Sequence, residues 1–173
     1  YNSTGGGMYC DASDPTLTNC TFTNNTANFG GGIYCDSSDL TLTNCTFTNN
    51  TTYYSGGGMY CDSSDLTLTN CTFTNNTASG YSSSDGGAIY VEEYSILIMT
   101  ECTFTNNTAV DDGGGIYVQN QSNTYFAQNW LDCTFVGNAS GDFGGAIYAS
   151  RTMTLRNCTF NSNTAEQGGG IYS

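Results

Sequence analysis

The chain of 173 residues contains no histidine and only two basic residues, against 15 acidic ones. A formal net charge of −13 excludes the basic surface that nucleic-acid binding needs, because phosphate backbones are neutralised by Lys and Arg. The same shortage excludes a polybasic membrane contact, and no apolar run approaches the roughly 18 residues of a membrane-spanning helix. We therefore expect no nucleic-acid partner and no membrane insertion by this segment.

The absence of histidine and lysine also limits the catalytic reactions that the side chains of this chain could support. Hydrolases and lyases need a positioned acid and base, yet the acidic residues of this chain follow its repeats. The exceptions are Glu92, Glu93, Glu101, Asp111, Asp112 and Asp132, beside a segment with Tyr125, Phe126 and Trp130 that could stack on sugars. We predict that the chain is not an enzyme, and polysaccharide binding or degradation is an alternative.

Two short segments alternate along the chain. Gly-Gly-Gly/Ala-Ile/Met-Tyr occurs seven times, with tyrosines Tyr9, Tyr34, Tyr60, Tyr90, Tyr117, Tyr148 and Tyr172 spaced 24–31 residues apart. Cys-Thr-Phe-x-x-Asn occurs six times, with phenylalanines Phe22, Phe47, Phe73, Phe104, Phe135 and Phe160. A period of this length indicates a solenoid whose units bury their apolar faces against their neighbours.

Each repeat alternates apolar and polar residues with period two, which is typical of strands. We predict three strands per coil, at 32–36, 40–43 and 45–48 in the second repeat, with corners at Asp-Ser-Ser-Asp and Asn-Asn-Thr. Insertions at 79–85 and 119–129 should lie in loops. The prediction is an all-β, right-handed parallel β-helix of about six coils, in a single domain over residues 1–173.

The paired motifs, such as Gly87-Ala88-Ile89 and Phe104-Thr-Asn-Asn107, resemble the repeats of the chlamydial polymorphic outer membrane proteins. The resemblance covers nearly the whole chain. It implies a secreted or surface-displayed passenger, adhesive or structural, with no catalytic residues. We accordingly expect an extracellular or cell-surface location.

Nine cysteines fall in two series, one before Thr-Phe and one after the repeated tyrosine. None is spaced as Cys-x-x-Cys, so neither a zinc site nor a redox motif is expected. The cysteines form either stacked buried ladders of thiols or disulfides within the first three coils. The candidate disulfides are Cys10 with Cys20, Cys35 with Cys45, and Cys61 with Cys71.

Several Asn-x-Ser/Thr sequons recur in register with the repeat and are candidate N-glycosylation sites. These are Asn19, Asn24, Asn44, Asn49, Asn70, Asn75, Asn106 and Asn157. Adjacent coils are only about 4.8 Å apart, so occupancy should be partial. The second asparagine of Phe-x-x-Asn is predicted instead to cap a corner.

Other side chains should form ladders on the outside. The seven tyrosines predict an aromatic stripe that either covers its strands or contacts a partner or saccharide. Outward Thr-x-Thr pairs in the Phe strands resemble the ice-contacting stripe of β-helical antifreeze proteins, which makes ice binding an alternative. The aspartates at the first corner are either solvated or bind Ca²⁺ between coils; they are Asp11, Asp14, Asp36, Asp39, Asp62 and Asp65.

Both ends of the repeat are tyrosine strands, and neither carries a capping helix. Open strand edges favour pairing with another copy, so we expect end-to-end or lateral self-association, as a filament subunit or as a segment of a longer rod.

Overall fold

A computed structural model describes residues 3–80, 82–92, 94–119, 128–150 and 152–173. Its regular structure in these ranges is entirely β, and the paired strands run parallel with partners one coil apart. The predicted parallel β-helix is therefore confirmed. Among the described residues no helix is long and apolar enough to cross a membrane.

The described residues form four parallel sheets that run along the solenoid. The Tyr sheet contains Met8–Asp11, Ile33–Asp36, Met59–Asp62, Ile89–Val91, Ile116–Val118, Ile147–Ala149 and Ile171–Tyr172. The Leu sheet contains Thr16–Thr18, Leu40–Thr43, Leu66–Thr69, Leu97–Thr100, Gln128–Leu131 and Met153–Arg156. The Phe sheet contains Thr21–Thr23, Thr46–Thr48, Thr72–Thr74, Thr103–Thr105, Thr134–Val136 and Thr159–Asn161.

A fourth sheet was not predicted. It consists of the two-residue strands Thr26–Ala27, Thr51–Thr52, Thr77–Ala78 and Thr108–Ala109, and we call it the short sheet. Two residues carry no alternation that a sequence pattern could reveal, because the strand exists only through hydrogen bonds to adjacent coils. The prediction of three strands per coil is corrected to four where this sheet runs.

The predicted strand bounds are close to the observed ones. The Leu strand at 40–43 is as predicted, whereas the Tyr and Phe strands of that coil begin one residue later than predicted, at Ile33 and Thr46. The predicted loop at 119–129 overlaps the strand Gln128–Leu131 by two residues. Residues 120–127 of that insertion lie outside the described ranges.

The core is a set of stacked ladders inside the coil. The Ile/Met, Leu and Phe series point inward as predicted, and Phe47, Phe73, Phe104 and Phe135 are fully buried. Their rings stack at centroid distances of 4.6–4.9 Å with nearly parallel planes. Equivalent residues of the first and last coils are only partly buried.

Glycines set how closely the coils approach at the start of the Tyr sheet. The first glycine of each Gly-Gly pair has a positive φ, as at Gly56 (φ 72°). The second lies against the next coil, because a Cβ on Gly57 would be 2.2 Å from the carbonyl oxygen of Gly87. The repeated Gly-Gly is therefore a packing requirement of the stacked coils.

Candidate functional site

The seven repeated tyrosines form one row on the outer face of the Tyr sheet, which we call the tyrosine ladder. Strand register places each tyrosine directly beside its equivalent in the next coil. Neighbouring ring centroids are 4.7–5.5 Å apart and ring planes differ by at most 12°. The rings therefore cover one another's faces and present their edges and hydroxyls outward.

This stacking leaves little ring face for a saccharide to lie on, except at the ends of the ladder. Exposure is also uneven: Tyr9 and Tyr172 are 50% and 36% exposed, whereas Tyr60 and Tyr90 are each 8% exposed. The expectation of a continuously exposed stripe is therefore wrong in the central coils.

Neighbouring side chains cover the centre of the tyrosine ladder. The ring of Phe29 meets Tyr60 edge-on at 5.2 Å and stacks on Tyr54 at 4.7 Å. The Tyr60 hydroxyl donates a hydrogen bond to Glu92, and the Tyr90 hydroxyl donates one to Gln119. Burial, reinforced by nearby carboxylates, raises the pKa of Tyr34 to about 12 and also raises that of Tyr117, so these phenols stay protonated at neutral pH.

Four carboxylates gather at the corner that precedes the Tyr sheet in coils four to six. Asp85 Oδ1 accepts the backbone N–H of Asp112 at 3.1 Å, and Asp112 Oδ1 accepts that of Phe143 at 2.9 Å. Burial is the main cause that raises the pKa of Asp85 to about 7 and that of Asp112 to about 6. The pKa of Asp111 is raised by burial and by the neighbouring carboxylate of Asp142.

Asp111 and Asp112 were predicted as candidate acids from the sequence, whereas their neighbours Asp85 and Asp142 were not. Aligned on Gly-Gly, Asp111 and Asp142 share the second position before the glycines, although the residues that precede them differ in number. Asp85 and Asp112 each directly precede the Gly-Gly of their repeat, and this common position was the available signal.

All eight candidate glycosylation asparagines are exposed and have φ between 50° and 57°. Asn19, Asn44, Asn70 and Asn157 follow Leu-sheet strands, and Asn24, Asn49, Asn75 and Asn106 follow Phe-sheet strands. Asparagine is one of the few residues that tolerates this left-handed conformation, so the corners themselves favour it. Along the first row Asn44 Nδ2 donates to Asn19 Oδ1 at 3.1 Å.

The second asparagine of Phe-x-x-Asn caps the corner from inside, as predicted. Asn25, Asn50, Asn76, Asn107, Asn138 and Asn163 form a ladder in which each Nδ2 donates to the next Oδ1 at 2.9–3.0 Å. Asn76 Nδ2 also donates to the backbone carbonyl of Phe47, and its Oδ1 accepts the backbone N–H of Asn50. The hydrogen bonds of this buried ladder hold consecutive coils together.

All nine cysteines are free thiols in this structure, and seven of them are buried. They stack between coils: Cys10, Cys35 and Cys61 are in register, and Cys71, Cys102 and Cys133 belong to the second series. Hydrogen bonding to Cys35, together with burial, raises the pKa of Cys10. Of the two alternatives considered, the structure contains the stacked thiols, and the candidate pairs Cys10–Cys20, Cys35–Cys45 and Cys61–Cys71 are not bonded in it.

Three of the six aspartates at the corner after the Tyr sheet accept backbone N–H groups of the next coil. Asp14 Oδ1 accepts the N–H of Asp39, Asp39 Oδ1 accepts that of Asp65, and Asp65 Oδ1 accepts that of Ile96, at 2.8–3.0 Å. Within the described ranges no group of three or more His, Cys, Asp or Glu side chains is arranged to hold a metal ion. These carboxylates act as caps from coil to coil.

The residues considered for catalysis lie at different corners. Glu101 and Asp132 follow Leu-sheet strands, with φ of 57° and 55°, whereas Asp111 and Asp112 precede the Tyr sheet. Trp130, expected to stack on sugar, is 1% exposed, and its Nε1 donates to the Leu97 carbonyl at 2.9 Å. Glu93, Tyr125 and Phe126 lie outside the described residues.

A shallow groove of about 280 Å³ lies over the Leu sheet in coils four to six. Its described lining includes no carboxylate; it consists of Ile98, Met99, Thr100, Asn129, Trp130, Leu131, Thr154 and Arg156. An acid–base pair is therefore absent from the described part of this groove.

Stacked coils, parallel sheets and side-chain ladders define a repeat solenoid. The family model described as "Right handed beta helix region" matches residues 1–173, so the chain belongs to this family. The predicted right-handed parallel β-helix is thereby confirmed. Neither a curated protein nor a solved structure matches the chain.

Proposed function

We propose that the chain is a non-enzymatic structural and adhesive rod that is displayed outside the cell. The observation that carries this proposal is that repeated polar side chains bond from one coil to the next. The side chains of the buried asparagine ladder and of the corner residues Asp14 and Asp39 make hydrogen bonds of this kind. Such ladders produce a uniform, rigid surface rather than a pocket with convergent chemistry.

The outer corners support an extracellular setting. Eight exposed sequon asparagines are accessible to glycosylation, and the motif resemblance to polymorphic outer membrane proteins points the same way. Glycans on every coil would collide at about 4.8 Å spacing, so the proposed modification is partial.

Self-association completes the proposal. In the described chain the strands Met8–Asp11 and Ile171–Tyr172 lie at the two edges of the Tyr sheet. A free strand edge is a template for pairing with another chain, so the proposal includes end-to-end or lateral association of copies wherever such an edge is free.

Electron microscopy and intact mass spectrometry on the same native sample test the proposal. Long uniform particles with mass in excess of the polypeptide are the expected result. Sedimentation across a wide concentration range provides the control, because axial assembly depends on concentration. Strictly monomeric particles at the bare polypeptide mass would contradict both the assembly and the glycosylation.

Ice binding is a second candidate function, and the Phe sheet favours it. Its register places Thr21, Thr46, Thr72, Thr103, Thr134 and Thr159 in one outward row across six coils. A parallel row, Thr23, Thr48, Thr74 and Thr105, ends at Val136. Thermal hysteresis measures this activity. It should be lost in Thr46→Tyr and kept in Thr41→Tyr, a matched change on the Leu sheet, if ice contacts the Phe sheet.

A further inference from the structure

We propose that neighbouring tyrosines of the tyrosine ladder are a site of oxidative cross-linking, in which a carbon–carbon bond joins the ortho carbons of two phenol rings in adjacent coils. The co-reactant is an oxidant of the peroxide class, delivered by a peroxidase. This chemistry depends on the geometry of the ladder and goes beyond the structural role proposed above.

The reaction balances as a two-electron oxidation. Each phenol loses one electron and its hydroxyl proton to become a phenoxyl radical. The two radicals combine through one ortho carbon each, and the ortho hydrogens then move to the phenolic oxygens and restore both rings. The protein loses two hydrogen atoms in total, and one molecule of hydrogen peroxide is reduced to two molecules of water.

Strand register provides the alignment that this coupling needs. Directly opposite residues of parallel strands lie about 4.8 Å apart along the axis. Ring centroids of the tyrosine ladder are 4.7–5.5 Å apart, and the outward edges carry the ortho carbons and the hydroxyls. Two radicals formed in one ladder are therefore already neighbours, without any encounter between molecules.

Exposure decides which pairs should react. Tyr9, at 50% exposed, stands beside the half-buried Tyr34, and Tyr172, at 36%, stands beside the half-buried Tyr148. These two pairs, and the half-buried pair Tyr117 and Tyr148, are more accessible to the oxidant than the centre of the ladder. Tyr60 and Tyr90 are each 8% exposed, and their hydroxyls are engaged in hydrogen bonds.

The expected links are therefore Tyr9–Tyr34, Tyr117–Tyr148 and Tyr148–Tyr172, and no link is expected between Tyr60 and Tyr90. Each link would join two consecutive coils covalently. A rod modified in this way would resist separation of the linked coils, including those of Tyr9 and Tyr172, where the described core is only partly buried.

Two exposed tyrosines outside the ladder provide an internal control. Tyr53 and Tyr94 are 54% and 56% exposed, more than any ladder tyrosine. The Tyr53 ring meets that of Tyr54 edge-on, with ring planes at 71°, and Tyr53 does not belong to the tyrosine ladder. Oxidation governed by exposure alone would therefore favour Tyr53 and Tyr94, whereas oxidation governed by ladder geometry would not.

The experiment treats dilute, folded chain with hydrogen peroxide and a haem peroxidase and reads dityrosine fluorescence, intact mass and a map of linked peptides. The expected product migrates as a single chain, has lost two hydrogens per link, and contains the three named pairs. Tyr148→Phe keeps the stacked ring but lacks the phenol, so it should lose both links of the C-terminal half. Tyr94→Phe, the matched control, should leave the yield unchanged.

The same oxidation of urea-unfolded chain gives the reference pattern without the ladder. Links mainly through Tyr53, Tyr94 or other tyrosines outside the ladder would overturn the proposal. Links found only between separate chains, or a folded pattern identical to the unfolded one, would overturn it as well. The map of linked peptides from the wild-type chain tests the proposal even if a variant fails to fold.

Discussion

At the scale of single residues, Thr52 occupies a position that neighbouring coils fill with Ala27 and Ala78. Its side chain is buried, and its Oγ1 has no hydrogen-bond partner among the described residues. A buried hydroxyl without a partner costs free energy that an apolar group of the same shape does not.

Thr52→Val is therefore expected to raise the free energy of unfolding by about 1–2 kcal/mol, because valine keeps the volume and removes the unsatisfied hydroxyl. Urea unfolding followed by circular dichroism measures the change. Thr51→Val, on the outward side of the same strand, is the matched control and should change stability by less than about 0.5 kcal/mol. A destabilised Thr52→Val variant would show that the hydroxyl has a partner.

The raised pKa of Asp85 predicts that the free energy of unfolding depends on pH. Its pKa is raised by burial to about 7 in the folded chain, above the value near 3.9 expected after unfolding. The folded state therefore binds more protons between about pH 4 and pH 7. Protonation of Asp85 contributes stability that is fully present below the pKa of this group in the unfolded chain. That contribution is lost as the pH rises through its pKa in the folded chain.

Asp85→Asn keeps an oxygen that can accept the Asp112 N–H and removes the charge. We expect it to raise the free energy of unfolding at pH 8 by about 1–2 kcal/mol, less than the full effect of about 1.4 kcal/mol per pKa unit because the site is partly solvated. At pH 4 the variant and the wild type should be equally stable. Unfolding curves at both pH values test this, and an equal gain at both would rule out titration as the cause.

At the scale of structural elements, the buried asparagine ladder should contribute more to stability than the exposed corner row. Asn76→Ala removes four hydrogen bonds of the buried ladder, those to the Asn50 N–H, the Asn50 Nδ2, the Phe47 carbonyl and the Asn107 Oδ1. The Asn107 oxygen keeps the backbone N–H of residue 76, so the Asn50 N–H and the Phe47 carbonyl are the groups that lose most. We expect a loss of about 3–5 kcal/mol in urea unfolding, because each unsatisfied group costs about 1–3 kcal/mol. Asn75→Gly, beside it on the exposed side, should change stability by less than about 0.5 kcal/mol. Equal losses of unfolding free energy in the two variants would contradict a specific stabilising role of the buried asparagine ladder.

The cysteine ladders predict the reactivity of the thiols. Without reductant, alkylation of the native chain should reach only Cys20 and Cys158, which are partly exposed, and alkylation after unfolding should modify all nine cysteines. The three disulfides considered from the sequence would instead protect six of the nine. Counting adducts by intact mass distinguishes the two outcomes.

The sequence was sufficient for elements that carry a pattern. Period-two alternation located the Leu strand at 40–43 and placed the Phe series inside. The short sheet was missed because it forms only when coils stack. The burial of Tyr60 was missed for a related reason: it depends on Phe29, which lies outside the repeated motif and one coil away. A sequence pattern indicates the structure of one repeat, whereas the short sheet and the burial of Tyr60 depend on contacts between adjacent coils.

The corner residues with positive φ are a second case in which the sequence pattern alone was insufficient, here at the candidate site. The sequon asparagines were identified by a modification motif, although their backbone conformation already accounts for their recurrence. In later coils the equivalent positions hold Glu101, Asp132 and Gly137, which keep the positive φ and lack the sequon. The corner conformation is thus the shared property, and glycosylation remains a prediction for the subset that holds asparagine.

At the scale of the whole molecule, charge of one sign is distributed along a narrow rod. The net charge is −13, and corner aspartates such as Asp14, Asp39 and Asp65 recur in successive coils about 4.8 Å apart. The Debye length is about 10 Å at 0.1 M salt and about 3 Å at 1 M. Repulsion between coils therefore persists at moderate ionic strength and is screened only at high salt.

We expect the free energy of unfolding at pH 8 to rise by about 1–2 kcal/mol between about 0.1 M and 1 M NaCl, and to rise much less at pH 4, where many carboxylates are protonated. Millimolar CaCl₂ at matched ionic strength separates screening from binding. Screening predicts no gain beyond that of NaCl, because each of these corner carboxylates already accepts a backbone N–H. A saturable, calcium-specific gain would instead establish Ca²⁺ between the coils, and replacing Asp39 with Asn should then abolish it.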